Sequence, residues 1–316
     1  MSAGGAVMRP GDEAELAEIV RGANVPLVLR GGGTRGIGGA AAGEVLETGG
    51  LSGVRLYEPG ALTLVVGAGT PLAEVEGLLA AEGQRLAFDP PDMRGLLGRE
   101  GVSTIGGVVA VNASGSRRVQ AGACRDSLIG VRFVDGTGTV VRNGGRVMKN
   151  VTGIDLVKLM AGSHGTLGVL TEVAFKVLPA PEAVATLSVA GLGDARAVEA
   201  MAAALGSPFD VTGAAHWPGR GTFVRVEGFA TSVRYRAGEL ARVLGRFGPV
   251  EDVDGAVWPA VRDVVPFHGM PGDVWRLSVK PSDAPALVAK AGAAAVLYDW
   301  GGGLVWLRVT EGLDLD

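Results

Sequence analysis

Residues 25–39 read VPLVLRGGGTRGIGG, an apolar run that breaks into six glycines within nine positions. Glycine brings backbone N–H groups close to a ligand and adopts positive φ without steric cost. Bare backbone directly after a strand makes an anion-holding concavity. The folds open to such a chain are therefore those that feed a strand into a phosphate loop.

Two familiar phosphate loops fit poorly. Residues 31–36, GGGTRG, formally match the dinucleotide pattern G-x-G-x-x-G, but that pattern must open a helix facing the pyrophosphate. Here IGGAAAGEV follows, and glycines at 38, 39 and 43 argue against a helix. No acidic residue is expected to end a following parallel strand, because Glu58 falls in a hairpin turn. The mononucleotide signature G-x-x-x-x-G-K-[ST] is absent. What remains is a loop that binds phosphate through its own amides, flanked by Arg30 and Arg35, which either add charge or are solvated surface arginines. Two further segments share its character: TIGGVVAVNASGSRRVQAGACRDSLIGV from residue 104 and AGSHGTLGVLTEV from residue 161. Three glycine-rich segments within 150 residues are better explained by one extended ligand than by three separate turns.

Local signals place these segments among helices and hairpins. Asp12 with Glu15 forms a capping box ahead of Leu16, Ile19 and Val20, and Gly22 stops that helix. VRLYEPGALTLVVGAG turns as a hairpin at residues 58–61, and LIGVRFVDGTGTVVR turns at Asp135-Gly136. A short helix runs from Thr70-Pro71 through Leu72, Val75, Leu78 and Leu79 to Gly83. VLTEVAFKVLPAPE ends in prolines, so the domain boundary is placed there: 1–180, then 181–316. Beyond it the pattern gives strands at ATLSVA, GTFVRVEGF, VEDV and VWRLSVK, with a last hairpin, AAVLYDWGGGLVWLRV. Helices are expected at 194–205, 232–247, 258–265 and 283–291, making a separate α+β layer domain.

Composition removes other classes. The net charge of −4, with both signs interspersed, argues against nucleic acid, which needs a basic face to release counterions. The longest uncharged stretch is rich in Gly, Ser, Thr and Asn and makes a poor membrane span. The opening MSAGGAVMRPGDEAE shows no basic end followed by an apolar core, so a cytosolic setting is expected. The single cysteine, Cys124, can form no internal disulfide and cannot by itself hold an iron–sulfur cluster; it reads as a small buried residue.

RGGGTRGIGG, TIGGVVAVNASG and GGRVMKNVTGIDLVKLMAGSHGTLGVLTEVAFKVLP, in that order, resemble the FAD-binding fold of the vanillyl-alcohol-oxidase and D-lactate-dehydrogenase superfamily. Within it, GGRVMKNVTGIDLVKLM, WPAVRDVVPF, VWRLSV and LYDWGGGLVWL are similar to the FAD-binding subunit of bacterial glycolate oxidase. The resemblance implies an α+β protein: a two-subdomain FAD-binding fold of the vanillyl-alcohol-oxidase (PCMH) type, followed by a smaller α+β cap domain. It places Arg30, Gly31, Gly32, Gly33, Thr34 and Arg35 around the pyrophosphate, with Gly38 and Gly39 in continuation. Pro90, Pro91 and Asp92 fall on the proline-rich turn near the flavin. Thr104, Ile105, Gly106, Gly107, Asn112, Ala113 and Ser114 match the segment under the isoalloxazine and ribityl chain. Gly165, Thr166, Leu167, Gly168 and Val169 match the loop that reaches FAD again.

Some relatives tether FAD through a histidine; Arg35 follows the triplet here and no histidine lies near, so non-covalent FAD is expected. His164, His216 and His268 are scattered and read as structural or solvent-facing. Lys149, Asn150 and Asp155 either approach the flavin's N1–C2 edge or are a surface lysine with Asp155 as a helix N-cap. The catalytic relatives' histidine-rich metal site has no counterpart, so no metal is expected and no catalytic residue is assigned. The resemblance implies an FAD-bearing subunit of a glycolate oxidase complex. Such a complex oxidises a small 2-hydroxy acid to the 2-oxo acid and passes electrons to an iron–sulfur subunit. Alternatives are an FAD-containing assembly scaffold and a stand-alone 2-hydroxy acid dehydrogenase. The expected partners are a second flavoprotein and the iron–sulfur subunit, which hold the chain at the inner face of the cytoplasmic membrane. Mean hydropathy of +0.31 fits an apolar interface.

Overall fold

The computed structural model describes residues 7–36, 42–145 and 154–312. Its contacts divide the chain into two compact units: Met1–Ala113 with Gly122–Ala180, and Ser114–Ala121 with Pro181–Asp316. Segment Ser114–Ala121, which the sequence pattern gives to the first domain, thus packs with the second unit.

In the first unit the helix Glu13–Gly22 begins as its capping residues require: the Asp12 carboxylate accepts from the Glu15 N–H at 2.9 Å. Glu15 reaches one residue further back than a capping box does, accepting from the Gly11 N–H at 2.7 Å. Strand Leu27–Arg30 then pairs in parallel with Glu44–Glu47. This corrects one expectation, because an acidic residue, Glu47, does end a following parallel strand. It sits in register with Arg30 and 3.6 Å from its guanidinium. Only Val45 and Leu46 are apolar in that strand, too short a run to show a period.

The rest of the unit is built on a five-stranded antiparallel sheet, in the order Val54–Glu58, Thr63–Gly67, Val169–Lys176, Leu128–Val134 and Val140–Gly144. Both expected hairpins form. Pro59–Ala61 makes a tight turn ending at Leu62 in left-handed backbone. In the other, Asp135 Oδ1 accepts from the N–H groups of Thr137 at 2.8 Å and Thr139 at 3.0 Å. Leu64, Val66, Val131, Val173 and Phe175 form a core with Val75 and Leu79 of the helix Leu72–Ala81. Ile105, Val108 and Val109 complete it from a short helix, Ile105–Ala110, that the glycine-rich sequence did not disclose.

The second unit is a seven-stranded antiparallel sheet. Its order is Val250–Val253, Ala183–Val189, Gly221–Gly228, Val211–Trp217, Ala295–Asp299, Leu304–Val309 and Asp273–Ser278. The central strand Val211–Trp217 was not expected: VTGAAHW holds small and polar residues where a buried strand usually shows branched ones. One sheet face places Leu187, Val224, Val226, Tyr298, Val305 and Leu307 in a common core with helices Asp194–Leu205, Ala230–Leu244 and Ala284–Ala291. The registers put Arg276, Trp306 and Leu297 together on the opposite face. No helix among the described residues is long and apolar enough to cross a membrane.

Candidate functional site

The strand Leu27–Arg30 delivers Gly31, Gly32 and Gly33 onto the backbone of residues 101–104. A side chain at Gly32 would place Cβ 1.5 Å from the Val102 carbonyl oxygen, and one at Gly31 would lie 2.5 Å from Thr104 Oγ1. Close backbone approach therefore demands glycine at 32, whereas at 31 the obstacle is a side-chain hydroxyl. Gly33 differs: φ is +71°, with nothing within 4 Å of a Cβ built there, so it faces open space. No hydrogen bond among the described residues takes up the N–H groups of residues 31–34. These amides are left to solvent or to a ligand's acceptor atoms.

Arg35 ties this loop down. Its guanidinium donates to Ser103 Oγ and, at 2.7 Å, to the Pro91 carbonyl oxygen, linking the triplet, the proline turn and segment 103–107. Pro90 is buried, and Asp92 forms an ion pair with Arg94 at 2.7 Å. The Arg94 side-chain hydrogen bonds, the largest influence, hold the Asp92 carboxyl below the usual range. Segment 103–106 is anchored in turn: Ile105 N–H donates to Thr70 O at 2.9 Å and Gly106 N–H to Ala68 O at 2.8 Å. A Cβ on Gly106 would lie 2.7 Å from Ala68. Thr104 caps the helix Ile105–Ala110, accepting from the Gly107 N–H at 3.3 Å.

The third glycine segment closes the ring of contacts. Gly162 and His164 donate to the carbonyls of Val109 and Ala110 at 3.0 and 2.8 Å, and a Cβ on Gly165 would meet Leu29 at 2.8 Å. Leu29 lies on the strand that feeds the first loop. Gly168 follows with φ +149°, its Cβ position 2.7 Å from Val134 O, and leads into buried Val169. Thr166 and Leu167 are exposed beside it. Asn112, at φ 49°, accepts from the Arg125 N–H at 3.0 Å, and Ala113 is buried next to it. The first unit thus brings together the three segments read as one ligand's cradle. Ser114 belongs to the second unit. Gly38, Gly39, Lys149 and Asn150 lie outside the described residues.

Other residues singled out from the sequence find ordinary places. Asp155 caps the helix Leu156–Met160, accepting from the Lys158 N–H at 3.2 Å. His164 is exposed, with φ 54°. Cys124 is fully buried, and burial pushes its thiol well up. His216 is not isolated: Nδ1 meets Thr222 Oγ1 at 2.9 Å, and Nε2 faces Asp194 Oδ1 at 3.5 Å. His268 Nε2 bonds the Asp263 carbonyl at 2.8 Å. Among the described residues, no group of three His, Cys, Asp or Glu side chains could hold a metal ion.

Free amides, an open left-handed glycine and backbone-tight neighbours form a donor set suited to a diphosphate. Residues 5–144 match the FAD binding domain family, so the class is that of FAD-binding proteins and FAD is the cofactor. Over 287 residues, 90% of this chain and 76% of the relative, the sequence is 38% identical to glycolate oxidase subunit GlcE of Escherichia coli (strain K12). The chain belongs to the family of that glycolate oxidase subunit. It is also 34% identical over 197 residues to glycolate oxidase subunit GlcD of Bacillus subtilis (strain 168), a match over 58% of this chain and 38% of that one. Among solved structures, an alkyldihydroxyacetonephosphate synthase superposes with TM-score 0.73 at 20% identity, covering 95% of this chain and 66% of the other. A p-cresol methylhydroxylase superposes with TM-score 0.72 at 12% identity over 96% and 74% of the two chains. At these identities the likeness is one of fold.

Proposed function

We propose that this chain is the FAD-bearing subunit of a glycolate-oxidising complex, working with a second flavoprotein and an iron–sulfur subunit. The observation that carries the reading is the 38% identity to a glycolate oxidase subunit across 90% of the chain. In this reading the amides of Gly31, Gly32, Gly33 and Thr34 hold the pyrophosphate, Arg35 fixes their loop, and segments 104–113 and 165–169 line the rest of the cofactor. When bound, FAD supplies a two-electron acceptor for the C–H of a small 2-hydroxy acid. In this reading the electrons leave toward the iron–sulfur partner, since one cysteine cannot ligate a cluster within this sequence. The partners hold the assembly at the cytoplasmic face of the membrane.

Affinity purification of the chain from its native cell tests this. The expected result is co-purification with both partners, in a complex whose flavin bleaches on adding glycolate. Recovery as a lone monomer with full glycolate-oxidising activity would overturn it. A complex in which this chain's flavin stays oxidised during turnover would leave only the scaffold reading.

A further inference from the structure

Three stretches of the second unit that the cofactor cradle does not use converge on one indole. Trp300 sits at φ 54°, left-handed backbone that a bulky residue seldom adopts. The surroundings hold it there. Its N–H donates to Asp299 Oδ1 at 2.7 Å, its indole Nε1 donates to the Gly115 carbonyl at 3.0 Å, and buried Ser116 donates to Asp299 Oδ2 at 2.7 Å. Gly301 follows at φ 67°, where a Cβ would come 2.4 Å from Leu205. Strain that is this firmly held marks a side chain whose position matters.

The held indole supports two guanidiniums. The Arg118 Cζ lies 4.6 Å from its ring centroid, and the Arg276 Cζ lies 5.2 Å from it and 5.7 Å from that of Trp306. Arg276 stands on the edge strand Asp273–Ser278, in register with Trp306, on the sheet face away from the helices. Among the described residues no carboxylate forms an ion pair with it. The residue is solvent-accessible. Burial, the largest influence, and the like charge of Arg118 hold its guanidinium below the ordinary value. A guanidinium held within cation–π distance of two indoles, with no carboxylate partner among the described residues, still offers N–H donors, and its fork matches a planar, bidentate anion.

We propose that Arg276, positioned by Trp300 and Trp306 and flanked by the charge of Arg118, is the binding site for the carboxylate of a small organic acid. The choice of carboxylate over other oxyanions rests on the hydroxy-acid reading above; the anion site rests on the geometry alone. Binding is read directly, by calorimetric titration of the full FAD-loaded chain with glycolate and D-lactate. Glycolamide serves as the uncharged control and inorganic phosphate as the competing oxyanion.

Saturable binding of the two carboxylates but not of glycolamide is expected, about tenfold or more weaker in Arg276→Gln and partly restored in Arg276→Lys. Trp300→Gly suits the left-handed backbone, so it keeps the fold while removing the indole, and it too weakens binding. Absence of carboxylate binding, an Arg276→Gln variant with parental affinity, or phosphate bound more tightly than either carboxylate through Arg276 would overturn the proposal. Turnover reports separately on the functional reading. A complex that oxidises glycolate without Arg276-dependent binding sinks the site alone, and a site that binds glycolate in a complex that never oxidises it sinks the function alone.

Discussion

Replacing Gly32 by alanine adds one methyl group, yet that carbon would stand 1.5 Å from the Val102 carbonyl oxygen and 2.5 Å from its carbon. Real Cβ contacts do not fall below 3.0 Å, so the loop must retreat by about 1.5 Å, and because the obstacle is backbone no side chain can swing aside. A retreat of that size takes an N–H···O bond from about 2.9 Å to beyond 4 Å, where it is lost. Each amide bond to a charged acceptor contributes roughly 1.5–3 kcal/mol. Losing two of them costs about 3–6 kcal/mol, or about 10²- to 10⁴-fold in FAD affinity.

The neighbouring glycines set the scale. Gly33→Ala meets open space and bears only its left-handed φ of +71°, about 1–2 kcal/mol. Gly31→Ala is comparably mild, because the Thr104 hydroxyl can turn away at the loss of its cap on Gly107, about 1 kcal/mol. Titration of the apo-protein with FAD, followed by quenching of flavin fluorescence, measures all three, while thermal unfolding checks that the chain still folds. A Gly32→Ala protein within fivefold of the parental affinity would show that this loop is a turn and nothing more.

Arg35→Ala removes the bonds to Ser103 and Pro91 together, so the apo-protein should lose about 1–3 kcal/mol and FAD affinity should fall with it; unchanged melting and unchanged affinity would refute a strut role. Burial, the largest influence, holds the His216 imidazole below its ordinary value against the opposing pull of Asp194. The unfolded chain therefore binds more protons once pH drops below about 6.5, and stability declines from there toward the depressed folded value. His216→Gln should flatten the fall in urea midpoint between about pH 7.5 and 5.5; a variant with the parental slope counts against this account.

Much of the fold was written locally. Asp12 with Glu15, the Asp135 turn and the glycine at 83 act within four or five residues, through hydrogen bonds and φ preferences that belong to the residues themselves. The glycine triplet likewise stood out as a candidate phosphate loop, because no side chain can substitute where bare amide is needed. Its neighbourhood was another matter. That Val102 lies against Gly32, Leu29 against Gly165 and Ala110 against His164 depends on pairings between residues far apart in sequence, which no window of periodicity records. The strand Glu44–Glu47 and the central strand Val211–Trp217 escaped for the same reason: each takes its strand character from partners beside it rather than from its own composition. Ser114–Ala121 looked continuous with the first domain, and it is tertiary contacts, among them Ser116 on Asp299 and Arg117 on Glu227, that assign it to the second. Arg276 and Trp300 were visible as letters of two motifs. Their meeting on one indole, and the strained backbone that holds it, exist only once the sheet has formed.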